Sequence, residues 1–390
     1  MAKAGIVSID NGWKWAGGRY YLQHLIRSVY SLPIDERLGL VDVWWRNKPS
    51  DDPFSEVRDL LGKPIIVSPP HSLNCRVLRK VKRVFYRYTG ARDLFEAHDL
   101  GVFFPIPPCD NPGLPYVFWL PDFQHMRRPE LTSKESSQKL QFYYSDHVNK
   151  AKSIVLSSED ARDDFYRVFP ERFSQAHVVR FCSVPDEDWW SLVPSEVVDK
   201  YRLPDRFFIV CNQFTRHKNH LTLIRAMHIL SKAVHRDIHL VCTGSTYDHR
   251  QEHYIDEVRE SISQYKLESR VHILGLLPRS EQIALLRHSI AILQPSLFEG
   301  WSTIIEDGKT LGKPVLASDI PVHREQLVGI QNTFISECDA EQWAEAIEVA
   351  WYSMEGGYHS EQECHGIERM EIARRECGMS FVKVLRSAIA

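Results

Sequence analysis

The feature that most restricts how this chain can fold is an alternation, run through twice, of short apolar segments with segments of helical periodicity. Residues 6–9, 41–45, 102–104, 116–119, 153–156 and 178–181 are short, mainly apolar runs. Such runs suit strands covered on both faces, as in parallel sheets. After the first of them, Leu22, Leu25, Ile26 and Val29 recur at helical spacing and line one face. A polar stretch at 184–204, punctuated by Pro185, Pro194 and Pro204, reads as a connection between domains. The alternation restarts at 207–211 and continues through 238–242, 271–274, 290–293 and 315–317. Two successive β/α arrays predict an α/β protein of two doubly wound domains facing each other across a cleft. The first is expected at 1–190 and the second at 200–366, with a last helical segment at 367–390.

Size and charge narrow the function classes. A chain of 390 residues exceeds one ordinary core and suits two domains. Its formal net charge of −3 gives no general attraction to nucleic acid, which is not an expected partner. The eight cysteines have no paired C-x-x-C spacing, and Cys211 and Cys242 fall in expected strands, where free thiols are buried. That pattern predicts a reducing compartment and no structural zinc. No apolar run is long enough to span a bilayer, and residues 5–9 read as a strand rather than as part of a secretory leader. A cytoplasmic location is expected.

The most informative stretch is Ser296 to Val315, SLFEGWSTIIEDGKTLGKPV. An apolar run precedes it, Pro295 stops that run, and a loop follows with Glu299, Gly300, Trp301, Ser302 and Thr303. A helix is expected next, ended by Gly312, with Pro314 opening another strand. A helix N-terminus at the carboxyl edge of a parallel sheet offers free N–H groups and a favourable dipole to an anion. Two carboxylates border that place: Glu299 in the loop, and Asp307 eight residues later on the first helical turn.

This stretch resembles the acidic motif of glycosyltransferase family 4, retaining enzymes of the GT-B fold, which has two Rossmann-like domains. The family pattern is a glutamate, Gly-aromatic-Gly, a second glutamate eight residues after the first, then Gly-x-Pro-Val. Aligned without gaps on Gly312-Lys313-Pro314-Val315, the second acid is Asp307 rather than Glu306, and Ser302 replaces the glycine after the aromatic. The resemblance implies that Glu299 lies by a donor sugar and that Asp307 holds the ribose of a nucleotide. Carboxylates suit both roles, because they only accept hydrogen bonds and can take vicinal hydroxyls.

The remaining site residues follow from the same resemblance. After the strand at 207–211 comes Asn212-Gln213-Phe214-Thr215-Arg216-His217-Lys218. Lys218 matches a family lysine that holds the diphosphate, whereas Gln213 stands where an arginine is usual. Arg216 or Arg19 would supply the missing charge. Gly244 and Gly275 end neighbouring strands, and the loop at Gly275-Leu276 is implied to lie against the base. In the first array Gly17, Gly18 and Arg19 open a helix where a phosphate or sugar can approach the backbone. Pro121 occupies the column of a family histidine, followed by Asp122, and His125 four residues on is the candidate replacement. Ser157-Ser158-Glu159-Asp160 reads as a helix cap.

The function expected is transfer of a sugar, with retention, from a nucleotide diphosphate sugar to a hydroxyl of a glycan or lipid-linked glycan. Lys218, Arg216 and helix N-termini would stabilise the departing diphosphate. No second carboxylate presents itself as a covalent nucleophile. The nucleotide sugar is a substrate, and neither a cofactor nor a metal is expected; Asp186-Glu187-Asp188 reads as an acidic piece of the linker. Residues 76–88, from Arg76 to Tyr88, carry six basic and no acidic side chains around an apolar stripe. Such a segment suits the inner face of an anionic membrane or a lipid-diphosphate acceptor. An isomerase or hydrolase of nucleotide sugars, or an inactive binding protein, would use the same scaffold.

Overall fold

The computed structural model describes residues 2–7, 16–45, 52–67, 95, 97–108, 113–232, 237–247 and 253–390. The basic stretch at 76–88 lies outside them. The first half runs β1 (Lys3–Val7), α1 (Ala16–Tyr30), β2 (Leu40–Trp45), α2 (Arg58–Leu61), β3 (Ile65–Val67), β4 (Leu100–Phe104), β5 (Val117–Trp119), α3 (Gln124–Arg127), α4 (Lys134–Lys150), β6 (Ser153–Leu156), α5 (Glu159–Val168) and β7 (Ala176–Val178). The second half runs α6 (Pro194–Lys200), β8 (Phe208–Cys211), α7 (His220–Lys232), β9 (Leu240–Thr243), α8 (Tyr254–Gln264), β10 (Val271–Gly275), α9 (Arg279–His288), β11 (Ile292–Gln294), α10 (Thr303–Thr310), β12 (Val315–Ser318), α11 (Pro321–Gln326), β13 (Asn332–Ile335), α12 (Ala340–Ser353) and α13 (Ser360–Ile389). None of the described helices is long and apolar enough to cross a membrane.

The chain divides into two compact units, one of residues 1–123, 133–182 and 372–390, the other of 124–132 and 183–371. In the first unit, β3-β2-β1-β4 and β5-β6-β7 are parallel ladders, and a parallel bridge between Phe103 and Tyr116 joins β4 to β5. Its core packs Val7, Val43 and Phe103 with Phe118, Ile154 and Phe165. The Ser158 hydroxyl accepts from the Ala161 N–H at 3.1 Å, so the expected cap opens α5. The part of α13 that counts with this unit sets Phe381 edge-on to Phe104, with ring centres 4.7 Å apart.

The second unit is a single parallel sheet in the order β10-β9-β8-β11-β12-β13. Alternate residues of its strands enter opposite faces. Val210, Leu240, Leu293 and Leu316 pack under α7, α8 and α12. Ile209, Val241, Ile292 and Val315 pack under α6, α9 and α10. Order along this sheet reverses between β8 and β11, and ligands of doubly wound proteins bind outside the carboxyl ends of strands at such a reversal.

Several expectations shift. The segment at 184–204 is not a bare linker: a 3₁₀ turn at Glu187–Trp190 takes in Glu187 and Asp188 of the Asp186-Glu187-Asp188 run, and α6 follows. Pro194 starts α6 rather than breaking the chain, since the first helical position needs no N–H. Trp189, Val197 and Val198 join the second unit's core. The strand expected at 178–181 is β7, ending at Val178. Neither β3 nor β13 was legible: β3 has three residues, and β13 is an edge strand of half-exposed, mixed composition. Residues 124–132, from the first half of the sequence, count with the second unit.

Candidate active site

Two loops leave the carboxyl ends of β8 and β11, on either side of the reversal. The first makes a 3₁₀ turn at Arg216–Lys218, closed by Asn219 in a left-handed conformation with φ of 56°. Asparagine tolerates that region because its side chain bonds locally. Here the Asn219 amide donates to the carbonyls of Pro295, at 3.1 Å, and Glu337, at 2.6 Å. The Leu297 N–H donates to the His217 carbonyl at 2.7 Å, which ties the second loop to the first. Held this way, the Lys218 ammonium lies 2.5 Å from Glu299 Oε1.

Glu299 is 8% exposed. Burial alone pushes its carboxyl up, but Lys218, His217 and His323 outweigh it and hold the group below the ordinary glutamate value. Glu299 Oε1 also accepts from the Gln294 amide at 2.8 Å. His323, on α11 and fully buried, is pushed down to about 4 by desolvation. The hydroxyl of Ser302, the residue before α10, accepts from Gln294 at 3.2 Å and makes no cap bond to the helix. The first-turn N–H groups of α10 are therefore not satisfied by their own N-cap side chain, which favours an anion there.

The neighbouring acids of α10 go separate ways, as residues about 100° apart must. Glu306 accepts from Gln326 and Lys309, each at 3.0 Å, and Gln326 also brackets the Ser302 backbone. Burial pushes its carboxyl up despite Lys309 and Gln326. Asp307 Oδ1 accepts from Arg279 and from the Ser183 hydroxyl, both at 2.6 Å. Its other oxygen, Oδ2, is buried and takes no hydrogen bond among the described residues. Asp307 stands on the second turn of α10, not the first, because the helix starts only at Thr303. Gly312 follows the helix with φ of +65°.

The other predicted residues are placed as follows. Gln213 donates to the Tyr247 carbonyl at 3.1 Å. Arg216 forms an ion pair with Glu257 of α8 and lies over the Tyr254 ring. Gly244 has φ of +135°, and a Cβ on it would collide with the Asn212 carbonyl, so the glycine keeps the ends of β8 and β9 together. Gly275 ends β10 with φ of +72°, and Leu276 beside it is exposed. Gly300, Trp301 and Thr303 are half-buried around Ser302. His125 is buried in α3, within the excursion that counts with this unit. In the first unit, Gly17 and Gly18 open α1, Arg19 is 3.6 Å from Glu56, and Asp122 is half-buried near Tyr144.

Sequence reasoning missed Gln294, Arg279 and Arg128. Arg128 donates to the Leu297 carbonyl at 2.9 Å and to Glu337 at 3.2 Å, bracing the loop that carries Glu299. None of the three sits in a local motif, so only their placement reveals them. Among the described residues, no group of three or more His, Cys, Asp or Glu side chains is arranged to hold a metal.

Two parallel α/β units, with a lysine–glutamate pair at the strand reversal of the second, give this chain the GT-B fold. Residues 198–353, the site's half, match the family described as glycosyl transferases group 1. HepE of Anabaena, solved with UDP and glucose, is 15% identical over 99% of this chain and 98% of its own, with a TM-score of 0.68. Sucrose-phosphate synthase from Thermosynechococcus elongatus is 13% identical over 100% and 95%, with a TM-score of 0.63. WaaG, a glycosyltransferase involved in lipopolysaccharide biosynthesis, is 14% identical over 99% and 98%, with a TM-score of 0.56. At these identities the likeness is one of fold. No curated protein matches the chain.

Proposed function

We propose that the protein is a retaining glycosyltransferase of the family 4 type. It would move a sugar from a nucleotide diphosphate donor to a hydroxyl of a glycan or lipid-linked glycan, without a metal. The observation that carries this reading is the pair of half-buried Lys218 and buried Glu299 at the strand reversal, beside the uncapped N-terminus of α10. Lys218 and the first-turn N–H groups of α10 would take the diphosphate and stabilise the negative charge that grows on it as the glycosidic bond breaks. Glu299, kept ionised, would accept from donor sugar hydroxyls. The unpartnered Oδ2 of Asp307 would accept from the ribose. The acceptor hydroxyl would attack from the leaving-group face and pass its proton to a donor phosphate oxygen. Residues 76–88 would meet an anionic membrane surface from the cytoplasmic side.

HepE is also solved with UDP-glucose, which makes UDP-sugars the first donors to try. The test is turnover of nucleotide sugars with and without glycan acceptors, with the product anomer read by NMR. Acceptor-dependent transfer with retention, changed less than about twofold by chelator, is expected from a lysine-based site. Hydrolysis alone, an inverted product or strict metal dependence would overturn the reading.

A further inference from the structure

The β11 strand ends in a buried glutamine whose hydrogen bonds run toward the charged pair from an unexpected direction. Gln294 is fully buried. Its Oε1 accepts from the Asn212 amide at 2.8 Å, and Asn212 is the buried residue directly after β8, 82 positions away in sequence. That bond fixes which way the glutamine amide faces. Both N–H groups of Gln294 Nε2 then face the loop after β11, with Glu299 Oε1 at 2.8 Å and the hydroxyls of Ser296 and Ser302 at 3.2 Å. Turned over, the amide would set its oxygen against the carboxylate and lose the Asn212 bond as well. A neutral donor steadies an anion without adding charge, so Gln294 supports the carboxylate beside its ion pair with Lys218.

We infer that Gln294, held by Asn212, is a positioning residue that aims the Glu299 carboxylate alongside Lys218 by donating to its charged form. The inference rests on the reading that Glu299 serves the donor sugar, and it goes beyond that reading in naming what holds the group. The charged and titratable groups that face Glu299 are Lys218 and His217 from the turn after β8 and His323 from α11. They remain in place when the glutamine is changed, so a shift in Glu299 titration reports the glutamine itself.

The experiment follows the Glu299 carboxyl by carbon-13 NMR in the full-length protein, with Glu299→Gln to assign the signal. Gln294→Met keeps the side-chain length and removes the donor. Its Glu299 should titrate about one to two units higher than in the wild type, the worth of a hydrogen bond to a charged group. Asn212→Ser, which frees the glutamine to turn, should raise it in the same direction by less, and it decides the matter alone if Gln294→Met does not fold. An unchanged titration in the folded variant overturns the inference. Because this readout needs no turnover, its failure is separate from failure of the proposed transfer. Where transfer is measured, the acid limb of kcat in Gln294→Met should move up with the titration, a change that loss of packing alone would not produce.

Discussion

Each unit buries a carboxylate beside a parallel sheet, and the two behave in opposite ways. Asp42, in the middle of β2 in the first unit, is fully buried, with Arg58 at 2.9 Å from Oδ2. Burial pushes its carboxyl up to about 7, and Arg58, which is shared with Asp52 at 2.5 Å, only partly opposes this. Glu299 in the second unit is nearly as buried, yet its carboxyl lies below the ordinary value. The difference is location. Asp42 lies within a strand, where the cation that reaches it, Arg58, is shared with Asp52, whereas Glu299 hangs from a strand end, where the turn after β8 brings Lys218 and His217 and α11 brings His323. Elsewhere the first unit packs aromatic rings: Tyr21 stacks on Trp119 at 3.9 Å and meets Phe181 edge-on at 5.2 Å. Strands of one topology thus support either a cost in stability or a charged site, depending on whether the carboxylate sits inside the sheet or at its edge.

The largest expected effect tests the first half of that contrast. A carboxyl raised in the folded state binds its proton more tightly there than in the unfolded chain. Its contribution to stability is therefore full below the unfolded value and is lost as pH rises toward the folded one. Between about pH 4 and about pH 7 the wild type should lose up to ~4 kcal/mol relative to Asp42→Asn. Urea unfolding of both proteins at the two ends of that range measures it. A difference that does not change with pH would remove the contrast.

Next in size is the charged site itself. Lys218→Ala and Glu299→Gln should each lower turnover about a hundredfold, or ~3 kcal/mol, with the circular dichroism of the fold retained. Lys218→Ala should also send the Glu299 titration upward, because burial then acts with less opposition. Glu299, being depressed, contributes stability that is present above its unfolded value and is lost as pH falls through the folded one. Near-normal turnover in either variant would mean that the pair is structural, like Arg58 and Asp42.

The smallest effect separates neighbours on α10. Asp307→Asn should weaken binding of the cognate nucleoside diphosphate by ~1–3 kcal/mol through loss of charge-assisted bonds. It should also bind the 2′,3′-dideoxy analogue almost as well as the parent. Glu306→Gln, whose carboxylate is turned to Gln326 and Lys309, should bind both ligands as the wild type does. Calorimetric titration of each variant decides it, and the reverse pattern would move the ribose contact to Glu306.

Much of this molecule was legible from short-range pattern. Among the described residues, apolar runs marked eleven of the thirteen strands closely or within a few residues, because a strand covered on both faces must be apolar along its length. Gly312 ended α10 where its positive φ is needed. The edge strands β3 and β13 escaped, since half-exposed edges need no continuous apolar run.

What tertiary structure alone decided is which distant groups share an ion. Nothing near Glu299 in sequence announces that Lys218, 81 positions earlier, would lie 2.5 Å away. The same holds for Asn212 steering Gln294, for Arg279 and Ser183 meeting on Asp307, and for Arg128 bracing Leu297 from an excursion of the first half. Periodicity records which face of an element is buried, and that is a local property. Partners across a strand reversal are set by sheet order, and hydrogen bonds between them depend on atoms placed to within a few tenths of an ångström.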